Sequence, residues 1–138
     1  MDFTINFDAI NLLTVFAATV AANVLGGIWY APFFLGRPWR AALKMGPASA
    51  EMSNSVGTFV SGFVLHLIAA SMLAALLGPT AGGVVGVQLG SLIGFAFVFT
   101  AMGATNLFEH RPIRLILINS GYHVVSLALM GFIIGTWG

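Results

Sequence analysis

The chain has 138 residues, 59% of them hydrophobic and only 7% charged, with a mean hydropathy of +0.99. A soluble domain carries roughly 25% charged residues, so a water-soluble monomer of this size could not cover its surface with so few. Composition therefore excludes an ordinary soluble domain, a disordered chain and a nucleic-acid binder with a basic face. The absence of cysteine excludes disulfides, thiolate metal sites and cysteine nucleophiles.

Four stretches contain no Asp, Glu, Lys or Arg: Ile10–Tyr30, Val56–Leu77, Gly83–Asn106 and Leu115–Trp137. At ~1.5 Å per residue, each is long enough as a helix to cross a hydrocarbon core of ~30 Å. Long apolar runs without alternation do not suit barrel strands, so the expected fold is all-α, a single four-helix transmembrane bundle over residues 1–138. Asp2 and Asp8 precede the first span and no basic side chain does, the inverse of a cleavable leader. Asp8 suits the N-cap of the first helix.

All five basic residues fall in two segments: Arg37, Arg40 and Lys44 after span 1, Arg111 and Arg114 after span 3. Both segments lie on one side of a four-span chain. The positive-inside rule puts them in the cytoplasm and both termini outside, as a multi-pass membrane protein. Pro32 stops helix 1 just after Trp29 and Tyr30. Pro38 can open a short interfacial helix ended by Gly46 and Pro47, with Trp39 and Leu43 on one face and Arg40 and Lys44 on its basic edge. Glu109 is placed to pair with Arg111 or Arg114 at headgroup level. Gly78–Gly82 reads as a tight turn between spans 2 and 3.

Span 3 carries Gly82, Gly86, Gly90 and Gly94, a glycine at every fourth position, and span 4 has a shorter version in Gly131 and Gly135. Such a stripe lets another backbone approach closely, either within this chain or on another subunit. Polar residues inside the spans also form stripes: Thr19, Asn23 and Gly27; Thr58, Gly62 and His66; Asn119, His123 and Ser126. Counted from the basic ends, Asn23, His66 and His123 lie within about 5 Å of one another in depth. Facing lipid would leave them unsatisfied, so Asn23, His66, Asn119 and His123 are expected to converge inside the bundle.

That cluster admits three roles. It could glue the helices by hydrogen bonds, form a polar pocket or conduit for a small solute or lipid, or hold haem between His66 and His123. Nothing else in the chain supports haem, so no cofactor is expected. No carboxylate lies inside a span, and Asp2, Asp8, Glu51 and Glu109 make no catalytic constellation, so no catalytic residue and no enzyme activity are expected.

Gly27-Ile28-Trp29-Tyr30-Ala31-Pro32, followed by Phe34, Gly36 and Trp39, and Asn106-Leu107-Phe108-Glu109-His110-Arg111-Pro112, continuing to Asn119-Ser120-Gly121-Tyr122-His123 and Gly131, carry a resemblance. They resemble the two signatures of a bacterial family of small four-span membrane proteins, domain of unknown function seventeen sixty-one. The resemblance implies one compact integral membrane domain and brings no activity, substrate or cofactor with it. It directs attention to Trp29, Tyr30, Pro32, Glu109, Arg111, Asn119, Tyr122 and His123. The expected role is binding or passage of a small solute or lipid through an inner-leaflet polar pocket. The alternative is a non-catalytic subunit that assembles with itself or a larger membrane complex; the expected partner in either case is the lipid bilayer.

Overall fold

The structure is a computed structural model, and it describes residues 5–43 and 56–138. Lys44, Gly46, Pro47 and Glu51 lie outside the described residues. The described residues form an all-helical bundle: α1 (Leu12–Trp29), α2 (Gly36–Leu43), α3 (Val56–Leu77), α4 (Gly83–Phe108) and α5 (Ile113–Trp137). All but α2 are long and apolar enough to cross a membrane. Large side chains such as Leu12, Leu65, Phe95 and Phe97 face outward. Water would penalise that arrangement, whereas lipid does not.

Helix α1 begins later than its acidic prelude suggests. Asp8 is exposed in a single 3-10 turn (Phe7–Ala9) and caps nothing in α1. The cap is Asn11, whose extended backbone lets Oδ1 accept from the amides of Leu13 (3.1 Å) and Thr14 (3.4 Å). The turn and the extended Ile10 push the N-cap three residues past Asp8, to Asn11.

At the other end of α1 the chain doubles back tightly into α2. The amides of Leu35 and Gly36 donate to the carbonyls of Trp29 (3.1 Å) and Ala31 (2.9 Å). A Cβ on Gly36 would overlap the Tyr30 and Ala31 backbone, so only glycine permits this turn. Helix α2 therefore starts at Gly36, two residues ahead of Pro38.

Helices α3 and α4 are joined through Gly78 and Gly82, both in the left-handed region at φ 74° and 87°. Helix α4 contains a π segment, Gly94–Phe99, that no sequence pattern announces. His110, at φ 57°, turns the chain toward Pro112, and α5 starts directly behind that proline. Arg114 consequently lies in the first turn of α5, not in the loop. Glu109 pairs with Arg111 at 3.2 Å, half-exposed.

Helix α5 is the centre of the bundle, with α1, α3 and α4 packed around it and α2 also against it. The apolar core gathers Val15, Ala18 and Ala22 of α1, Ala70, Leu73 and Ala74 of α3, and Leu127, Met130 and Ile134 of α5. Small residues on α1 and α3 bring those helices close to α5. By contrast α3 and α4 hardly meet, which leaves an opening between them floored by α5.

Candidate functional site

The glycine stripe of α4 packs on α5 of the same chain. Gly86 lies against Gly131, Gly90 against Leu127 and Gly94 against Val124, each so close that a Cβ would overlap the opposing backbone. Gly135 meets the carbonyl of Gly82, which serves as the turn residue and not as a packing face. This contact fixes α4 on one side of α5 and leaves the other side to α1 and α3.

On that other side three glycines admit three aromatic groups. Gly121 makes room for Trp29, whose ring would stand 3.2 Å from a Cβ there. The Trp29 indole N–H donates to the Ile118 carbonyl (2.9 Å), pinning the end of α1 to α5. Gly26 makes room for the Tyr122 hydroxyl, which donates across to the Ala22 carbonyl at 2.8 Å. Gly36 permits the turn that lays Trp39 on Tyr30, ring centroids 5.0 Å apart. Tyr30 in turn donates to Asn119 Oδ1 at 2.7 Å and stands edge-on to Tyr122 at 5.6 Å. Pro32, Trp39 and Tyr30 thus share one aromatic corner at the basic end of the bundle.

Tyr122 is the hub. Its hydroxyl also lies 3.1 Å from His66 Nε2, and the His66 Nδ1 atom lies 2.9 Å from the Gly62 carbonyl one turn back. Each ring nitrogen of His66 thus lies within hydrogen-bond distance of another group; in a neutral imidazole one of them donates and the other accepts. His123 stands beside them, its ring 6.5 Å from that of His66 and 5.2 Å from that of Tyr122. No hydrogen bond holds the His123 imidazole among the described residues, and it is only partly buried. Asn23 points its amide at its own helix, donating to the Thr19 carbonyl at 2.8 Å.

Asn23, His66 and His123 line two cavities where the sequence suggested one pocket, and Asn119 lines neither. The first, of about 580 Å³, is a side-opening groove between α3, α4 and α5. His66, His123 and Ser126 stand at its polar end, and Leu65, Met72, Leu76, Ile93 and Met130 continue it in purely apolar material. From Gly62 to Leu76 it follows α3 for ~21 Å, away from the basic end. The second, of about 510 Å³, lies toward the basic end, lined by Asn23, Gly27, Tyr30, Trp39, Arg40, Phe59 and Tyr122. Tyr122 is the partition, with its ring walling the second cavity and its hydroxyl on His66 of the first.

A profile for the family described as protein of unknown function (DUF1761) matches residues 13–135, nearly the whole chain. The chain belongs to that family. No curated protein and no solved structure matches it. Membership of DUF1761 brings no activity, so the chemistry of the two cavities has to be read from their residues.

Among the remaining sequence candidates, Arg37, Glu109 and Arg111 are exposed and line neither cavity. Trp29 and Asn119 hold the helices together and line neither cavity. Three contributors were not anticipated. Gly26 and Gly121 act by what they lack, and Ser120 is fully buried with no hydrogen-bond partner for its hydroxyl among the described residues. Neither glycine has another glycine four positions away, so periodicity could not single them out.

Proposed function

We propose that this multi-pass membrane protein binds a neutral, single-chain amphiphile in the groove between α3, α4 and α5, without catalysis and without a cofactor. The observation that carries this is His123: an imidazole with no hydrogen-bond partner among the described residues, set at the end of a long apolar groove. An unpaired polar group in hydrocarbon costs several kcal/mol, and a ligand hydroxyl or carbonyl would satisfy it. A volume of about 580 Å³ lies in the range of small-molecule sites. Neither cation nor carboxylate lines the groove, which favours a neutral headgroup. The length along α3 suits an extended hydrocarbon tail.

Haem between the histidines would require His66 to turn away from Tyr122, whose hydroxyl stands 3.1 Å from Nε2. Tyr122 closes the way between the cavities, which favours binding over free passage. The assembly role drew on the glycine stripe, and that stripe is spent on α5 of the same chain. With the basic segments in the cytoplasm, as the positive-inside rule requires, the imidazoles sit in the inner half of the bilayer and the tail points outward.

Native mass spectrometry of detergent-purified protein with 1-oleoylglycerol as the probe tests the proposal. A Cβ on Gly62 meets no heavy atom within 4 Å, so Gly62→Leu fills the groove without forcing the backbone. Gly62→Leu should abolish retention, and His123→Ala should weaken it by about tenfold, the equivalent of one hydrogen bond. Equal retention by wild type and Gly62→Leu would exclude the groove as the site.

A further inference from the structure

The cavity at the basic end has a different chemistry from the groove. Its lining brings together Arg40, Trp39 and Asn23 with Tyr30 and Tyr122. Neither Arg40 nor the Trp39 N–H has a hydrogen-bond partner among the described residues. A guanidinium offers donors in a fixed fork that matches a phosphate. Gly27 keeps the cavity open on the α1 side, since a Cβ there meets nothing within 4 Å.

The surroundings decide what kind of phosphate fits. Outside the cavity the flanking surface is hydrocarbon-facing: Val24 and Ile28 on α1 and Phe59 and Val60 on α3 are all about half exposed or more. Phe59 belongs to both the wall and that outer surface. A ligand held by Arg40 can therefore run directly from the cavity onto an apolar flank. A free phosphate has no use for that flank, whereas acyl chains do.

We propose that this cavity is a binding site for the headgroup of an anionic phospholipid, its phosphate on Arg40 and its acyl chains over Phe59 and Val24. The site is independent of the histidine groove and takes a ligand of opposite character, charged where the groove's is neutral. Arg40 sets the preference for charge, and the space beside Gly27 sets the capacity.

The test uses the whole protein reconstituted in vesicles of phosphatidylglycerol and phosphatidylcholine in equal parts, then solubilised and measured by native mass spectrometry. Wild type should retain phosphatidylglycerol over phosphatidylcholine by about tenfold, as expected for one charge-assisted contact. Arg40→Gln should bring that ratio to about one, while Arg37→Gln, an exposed neighbour outside the cavity, should leave it unchanged. Gly27→Leu should remove both lipids and leave 1-oleoylglycerol retention intact, which separates this site from the groove. Equal effects of Arg37→Gln and Arg40→Gln would overturn the site in favour of general surface charge. Displacement of phosphatidylglycerol by millimolar inorganic phosphate would overturn the lipid assignment in favour of a free anion. Arg40 is exposed, so its substitution spares the fold, and Gly27→Leu provides a second arm that does not depend on charge.

Discussion

Gly86 and Gly131 touch backbone to backbone, each with its Cα against the other's carbonyl. A methyl group on either would have to push α4 off α5. Gly131→Ala should therefore lower the thermal midpoint in detergent, because a strain of about 1–3 kcal/mol outweighs the ~1 kcal/mol that alanine gains in a helix. Gly90→Leu, against the Leu127 carbonyl, should prevent a stable fold altogether. Gly62→Ala and Gly27→Ala, with open space at both positions, should leave the midpoint unchanged or raise it. A midpoint for Gly131→Ala equal to that of Gly62→Ala would mean that the contact contributes nothing.

Tyr122→Phe keeps the ring and deletes the hydroxyl that reaches Ala22 and His66. The loss should be about 1–3 kcal/mol, since a buried carbonyl and a ring nitrogen lose their partner together. Tyr30→Phe, whose partner Asn119 is only partly buried, should cost less. Unfolding in mixed detergent micelles, followed by circular dichroism, would rank the two variants. The reverse order would remove Tyr122 from the centre of the site.

Because the chain has no cysteine, single-cysteine variants report topology without background. Cysteines at Ala41 on α2 and at Thr80 in the α3–α4 turn are both exposed and lie at opposite ends of the bundle. An impermeant thiol reagent should label Thr80→Cys in cells with only the outer barrier opened, and Ala41→Cys only after lysis. The opposite pattern would invert the orientation of both cavities.

The purified protein should be colourless, with no Soret absorbance, because iron could reach His66 Nε2 only by displacing the Tyr122 hydroxyl that stands 3.1 Å from it. A Soret band lost in both His66→Ala and His123→Ala would instead establish haem ligation. Visible absorption spectra of the three proteins check this directly.

The spans were legible because charge is excluded from hydrocarbon, and the glycine stripe because small residues four apart leave a visible furrow. The partner of that stripe was foreshadowed only by Gly131 and Gly135, a pair too short to choose between an internal helix and a second subunit. Depth counting placed Asn23, His66 and His123 together, since rise per residue is nearly constant. It could not separate the two cavities, because the separation depends on the length of one side chain, Tyr122, reaching from α5 to α1. The helix cap went to Asn11 and not Asp8 because backbone direction after Ile10, invisible in composition, decides which carbonyl-bearing side chain lies over the first turn.

The seam between α4 and α5 is not parallel. At Gly86 and Gly131 the backbones touch, at Gly94 a Cβ would stand 2.7 Å from the Val124 Cα, and at Gly103 the nearest atom is the tip of Ile116, 4.0 Å away. The two helices are thus legs of a pair of dividers, riveted at the glycine end and spreading toward the basic loops. The π segment lies in α4, with Ile93 just before it and Val98 within it, and both belong to the wall of the groove. The spread of the two legs therefore sets the calibre of the space in front of His123.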